Sequence, residues 1–187
     1  MTDIDPSIEL AITRMMQQQE PLPLTVMTTD YDIVRGNRAA VSVFKHFTSD
    51  TGLSTARVNL FDHVFDPRLG RPFIKNWDTL GRRMVARLHR DALLRGSDAR
   101  LWTLLERVLA YPNVPQAWRQ PEFANMCEAT CPLILERGTL TMQFLTTITA
   151  FSAPQNVTVE EMRIESYFAL DEATRVACEA FACGDNG

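Results

Sequence analysis

Leu24-Thr25-Val26-Met27-Thr28-Thr29-Asp30-Tyr31-Asp32-Ile33-Val34-Arg35-Gly36-Asn37-Arg38-Ala39-Ala40 is the stretch on which the fold turns. Its first six residues carry the β-branched content of a strand. Asp30-Tyr31-Asp32 is turn chemistry and Ile33-Val34-Arg35 a second short strand, which together make a hairpin. Asn37 can then cap a helix that runs through Ala39, Val41, Phe44 and Phe47.

Ahead of this unit, Asp5-Pro6 supplies a capping carboxylate and a proline at the first helical position. Ile8, Ala11, Ile12, Met15 and Met16 repeat at helical spacing, Gln17 to Glu20 read as a fraying end, and Pro21 and Pro23 close it. The helix has one apolar stripe and little of its own to pack against. It must dock on the domain or on another copy of itself.

Behind the unit, Thr48 to Val58 reads as a loop and Phe73 to Leu94 as the strongest helix. At 100° per residue, Phe73, Ile74, Trp77, Leu80, Met84, Val85 and Leu88 fall in one band, with Arg82, Arg83, Arg87 and Arg90 opposite. Gly96 stops it. Asp98 caps a further helix that keeps Leu101, Leu104, Leu105, Val108 and Leu109 on one side.

From Pro132 the period changes to that of strands. Leu133-Ile134-Leu135 leads to Gly138 and a long strand from Thr139 to Phe151, with Leu140, Met142, Phe144, Ile148 and Ala150 on one face. Ala153-Pro154-Gln155-Asn156 reads as a turn, Arg163 to Ala169 as a last strand, and Asp171 as the cap of a closing helix. Strands at both ends with helices between them predict an α+β fold, an antiparallel sheet covered on one face by a helical lid. The natural cavity lies between sheet and lid.

The 187 residues fit one domain with an extra helix and can bury a sizeable core. No apolar run is long enough to cross a membrane. Met1 to Pro6 are unlike a signal peptide, so the expected location is the cytoplasm. The net charge is -4, while Phe61 to Gln120 holds eleven Lys/Arg against six Asp/Glu. That surplus is too small for a nucleic-acid-binding domain. Cys127, Cys131, Cys178 and Cys183 match neither a secreted disulfide framework nor a zinc site, and read as reduced thiols.

Leu24 to Phe47 resembles the opening of a PAS domain. More specifically, the chain resembles the ligand-binding domain of MmyB-like transcription regulators. Asn59-Leu60-Phe61, Asp66-Pro67-Arg68, Asn76-Trp77 with Arg87-Leu88, and Tyr111-Pro112 with Trp118-Arg119 carry the first half of the likeness. Thr146-Thr147-Ile148-Thr149, Pro154-Gln155-Asn156-Val157-Thr158, Arg163-Ile164-Glu165-Ser166 and Asp171-Glu172-Ala173-Thr174 carry the second. The resemblance implies a PAS-like ligand-binding domain over 21–187, preceded by a linker or dimerisation helix over 1–20. It further implies a small apolar effector of the fatty-acid kind. Contact with DNA would be made only through a helix-turn-helix domain, which these residues do not contain. A homodimer fits, since operators mirror two-fold symmetry.

The expected pocket takes Phe61, Phe65, Phe73, Ile74, Trp77, Leu80 and Met84 from the helices and Met142, Phe144 and Ile148 from the sheet. Aromatics and methionines make adaptable walls for an alkyl chain, and each buried methylene contributes about 0.8 kcal/mol. The same residues would equally serve as ordinary core. His63, Arg71 and Asn76 supply donors for a carboxylate at the pocket mouth, although an arginine is more often a solvated surface group. His63 lies between Phe61 and Phe65, where a haem would take an axial histidine, but a lone histidine is more often structural and no cofactor is expected. Asp62 with Asp66 and Glu160 with Glu161 come without a partner base or nucleophile, and no glycine motif cradles a phosphate, so no catalysis is expected. A protein-interaction module with a filled core is the alternative.

Overall fold

A computed structural model describes residues 5–49, 58–96, 98–121, 131–150 and 162–183. Cys127 and the turn expected over 153–156 lie outside the described residues.

Helix α1 (Pro6–Gln19) begins on Asp5, whose carboxylate accepts from the N–H of Ser7 at 2.8 Å. It runs further than its polar end suggested, because the side chains there find backbone partners. Gln19 Nε2 donates to the carbonyl of Tyr167 at 2.9 Å, and Glu20 Oε1 accepts from the N–H of Arg38 at 2.8 Å. Strands β1 (Leu24–Thr28) and β2 (Asp32–Gly36) form the hairpin, with Tyr31 in the left-handed region at φ 67. Asn37 caps α2 (Arg38–His46) through Ala40 N–H at 2.9 Å. The same Oδ1 takes the N–H of Leu24 at 3.0 Å while Nδ2 donates to the carbonyl of Leu22 at 2.8 Å. This buried amide therefore joins helix, strand and linker. Ala39, Ala40 and Val43 face inward in α2, whereas Val41 is 61% exposed.

A short β3 (Val58–Asn59) leads into α3 (Leu60–Phe65), capped by Asn59. Helix α4 (Trp77–Leu94) starts four residues later than the periodicity predicted, after a single 3-10 turn at Arg71–Phe73. The physical reason is a long-range pairing. Ile74 bridges Leu135, and the N–H of Lys75 donates to the carbonyl of Ile134 at 2.9 Å. Asn76 completes it, donating to the carbonyl of Pro132 at 2.7 Å and accepting from the N–H of Ile134 at 3.2 Å. Backbone groups that a first helical turn would use are thus spent on the sheet edge. Helix α5 (Ala99–Leu109) buries all five expected apolar residues.

Strands β4 (Leu133–Arg137) and β5 (Leu140–Ala150) meet at Gly138, whose φ of 61 suits a two-residue hairpin turn. Strand β6 (Met162–Ala169) and α6 (Glu172–Cys183), with the carboxylate of Asp171 accepting from Thr174 N–H at 2.7 Å, finish the chain. The sheet is antiparallel in the order β3-β2-β1-β6-β5-β4, the predicted α+β, PAS-like arrangement. No helix among the described residues is long and apolar enough to cross a membrane.

The two faces of the sheet do different work. On the outer face, Leu24, Val26, Met162 and Ile164 close over Ile12, with Ile8, Met15 and Met16 packed alongside. The apolar stripe of α1 therefore docks on its own domain. The inner face carries the main core, in which α3, α4 and α5 meet β4, β5 and the inward residues of β6.

Candidate functional site

The inner face of the sheet can be read row by row, since directly paired residues of an antiparallel ladder share a face. Along β5 and β6 the inward rows are Phe144 with Ala169, Thr146 with Tyr167, Ile148 with Glu165, and Ala150 with Arg163. Helix α4 presents Leu80, Met84, Arg87 and Asp91 at spacings of four, three and four, which is one helical stripe. The ion pair of Asp91 with Arg163, at 2.8 Å, pins the last positions of both series together. One helical turn back along α4 covers about the same length as two residues of strand, so Arg87 falls over the row of Glu165. The interior runs from apolar at the Met84 and Phe144 end to polar at the Arg87 and Glu165 end.

Of the ten apolar residues expected in the pocket, seven lie in the main buried cluster: Phe61, Phe65, Ile74, Trp77, Met84, Met142 and Phe144. Phe73 and Leu80 pack against it from half-buried positions. Ile148 belongs to neither buried cluster and stays half-buried beside Glu165. The aromatic part is a connected stack. Phe65 meets Phe61 at 6.0 Å and Trp77 edge-on at 5.6 Å between ring centroids, and Trp118 joins Trp77 at 5.3 Å.

The three expected polar donors each sit elsewhere in the framework. Arg71 lies over the Trp77 ring at 3.7 Å from its centroid and donates to the carbonyls of Phe65 and Pro112. Asn76 is engaged with β4 through the two bonds given above. The His63 ring packs against Gly70 and Phe44, and burial lowers its pKa to about 4, so at neutral pH it is uncharged. Among the described residues no group of three His, Cys, Asp or Glu side chains could hold a metal ion.

A second polar group was not expected from the sequence. Tyr31 donates its hydroxyl to Asp91 Oδ2 at 2.6 Å, and the Arg163 guanidinium lies 4.7 Å from the centroid of that ring. Glu165 is 5% exposed and accepts from the hydroxyl of Tyr167 at 2.8 Å. Burial pushes the Glu165 carboxyl above the usual carboxylate range, with Arg87 pulling the other way. Burial likewise raises the phenols of Tyr31 and Tyr167. The Nε of Arg87 is buried and finds no hydrogen-bond acceptor among the described residues. By spacing Arg87 falls opposite the apolar band with Arg82, Arg83 and Arg90, but its guanidinium lies 5.4 Å from the centroid of the Tyr31 ring. The signal available in the sequence was the strict alternation of β6, which puts Arg163, Glu165 and Tyr167 on one face.

A sequence model described as the MmyB-like transcription regulator ligand binding domain matches residues 8–180 of the chain. No curated protein gave a match.

Proposed function

Because the chain belongs to the family of MmyB-like transcription regulator ligand-binding domains, we propose that it senses an amphipathic, fatty-acid-like molecule held between α4 and the inner face of the sheet. The observation that carries this reading is the graded interior, with methionines and aromatics at one end and Arg87 and Glu165 at the other. An alkyl tail gains about 0.8 kcal/mol for each methylene it buries, and a polar head needs a hydrogen-bonding partner at the far end. Arg71 and Asn76, already bonded to backbone carbonyls, are poor candidates for that partner. No step of this function calls for catalysis.

In this reading ligand occupancy shifts the balance between two placements of the lid and α1, by a differential affinity of about 1–3 kcal/mol. The route is short. Tyr167 turns its hydroxyl inward to Glu165 while its carbonyl accepts from Gln19 of α1 on the other side. DNA contact falls to a helix-turn-helix domain outside these 187 residues, and a two-fold homodimer in the cytoplasm matches a two-fold operator.

The alternative, a protein-interaction module with a filled core, draws on the close packing of the seven buried pocket residues. Native mass spectrometry of the purified chain, followed by analysis of an organic extract, separates the two. A bound fatty acid, or a melting temperature that rises with added alkyl acids, supports the sensor. An empty protein that no alkyl acid or alcohol stabilises makes the same residues ordinary core.

A further inference from the structure

Beyond α5 the chain crosses the helical lid as a strap, Tyr111 to Gln120, whose regular structure is one 3-10 turn at Gln116–Arg119. Its own backbone bonds close local turns, such as Trp118 N–H to the carbonyl of Pro115 at 3.0 Å. Side chains of the lid supply further hold by reaching its carbonyls. Arg71 donates to Pro112, and the buried His89 bonds through Nε2 to the carbonyl of Trp118 at 3.0 Å. A carbonyl only accepts, so that nitrogen carries the proton.

Trp118 fills a seat shaped for it. Gly81 leaves a notch in α4, where an added Cβ would stand 3.1 Å from the edge of the indole. A glycine inside a helix costs backbone entropy, and here the close approach of the ring is what it permits. The indole spans the seam between α3 and α4, tilted against Trp77 at 5.3 Å and edge-on to Phe65 at 6.5 Å between centroids. Both of those rings are buried core, while Trp118 is half-buried.

Other borders of the interior are tied more firmly. The edge of β4 is bonded to Lys75 and Asn76, and α4 is pinned to β6 by Asp91 and Arg163. The ion pair of the strap, Arg119 with Glu106 at 3.7 Å, is exposed on both sides and contributes little.

We propose that Trp118 is a gate: the strap swings off α4, the indole leaves the notch at Gly81, and an alkyl ligand passes between α3 and α4. The proposal rests on the sensor reading above and deepens it by naming the entrance. Some border must open, because Phe61, Phe65, Met84, Met142 and Phe144 are at most 6% exposed. A border that the bound ligand does not touch changes entry and exit by one factor and leaves their ratio, the affinity, alone. A side chain that contacts the ligand changes mainly exit and affinity.

The test follows binding and release of cis-parinaric acid, a fluorescent alkyl acid, by stopped flow on the full chain. A gate open about a tenth of the time slows both steps about tenfold, so Trp118→Ala should speed both by about that factor and keep Kd within about twofold. Gly81→Ala crowds the seat while giving α4 a better helix former, so it should speed both steps by less in a chain that still folds. Weaker affinity in Trp118→Ala with association unchanged overturns the proposal by making the indole a wall of the pocket. Unchanged rates in both variants overturn it by placing the entrance elsewhere. Either result leaves the sensor reading standing, whereas parinaric acid that fails to bind the unaltered chain removes the gate together with the reading beneath it.

Discussion

Tyr31 and Asp91 are sixty positions apart and joined by a 2.6 Å hydrogen bond from phenol to carboxylate. Asp91 also takes Arg163 at 2.8 Å, so one side chain of α4 holds the first hairpin and the last strand at once. Tyr31→Phe removes one bond of three partners and should cost about 1–2 kcal/mol in urea unfolding. Asp91→Ala should cost more, about 3–4 kcal/mol, because it strands the largely buried guanidinium of Arg163. Equal losses for the two variants would show that Arg163 finds another partner.

His63 makes stability depend on pH. Its folded pKa is about 4 against 6.5 for a free histidine, so the unfolded chain binds the proton first as pH falls. Stability is therefore intact above about pH 6.5, declines between there and about pH 4, and levels off below as far as this residue is concerned. The loss should reach about 2–3 kcal/mol, the full linkage value being reduced because the side chain is half-buried. His63→Gln should remove this part of the acid dependence, measured as urea midpoints across that window.

Gly70 is where packing alone forbids a side chain. Its φ of -81 is open to any residue, but an added Cβ would stand 2.4 Å from His63 Nε2. Gly70→Ala should destabilise by about 1–3 kcal/mol. In a His63→Ala background the same change should cost little, a coupling that a double-mutant cycle measures directly. An unrelieved penalty would place the strain in the backbone instead.

Ile12 is 1% exposed under the outer face of the sheet. Ile12→Ala should lower stability by about 2–3 kcal/mol and leave the mass from light scattering unchanged. A halved mass with unaltered stability would instead assign the α1 stripe to a second copy of the chain.

Much of the fold could be read from local signals. Asn37, Asp98 and Asp171 act as caps, the two hairpins form where β-branched runs meet turn residues, and α5 buries its periodic face. The departures trace to partners distant in sequence. Phe73 and Ile74 leave the helix because β4 claims the backbone beside them, 61 positions on in the case of Ile74 and Leu135. In the candidate site the apolar residues were legible because hydrophobic periodicity marks what is buried. The polar ones were not, since an arginine's direction depends on what faces it. Arg71 turns to the carbonyl of Pro112 and Arg87 toward the ring of Tyr31, and neither neighbour is visible in the local pattern.

Strand β6 separates two surfaces with a single layer of backbone. Its residues 163, 165 and 167 turn to the inner face, and 162 and 164 to the side where α1 rests. On the sensor reading, chemical taste and output are thus spelled in alternate letters of one eight-residue word. On that reading, substitutions at residues 163, 165 and 167 retune what is sensed while the docking surface for α1 keeps its spelling. A single inserted residue would transpose the two texts, setting Glu165 against a greasy helix and Ile164 against Arg87. The strand therefore tolerates rewriting far better than it tolerates a change of length.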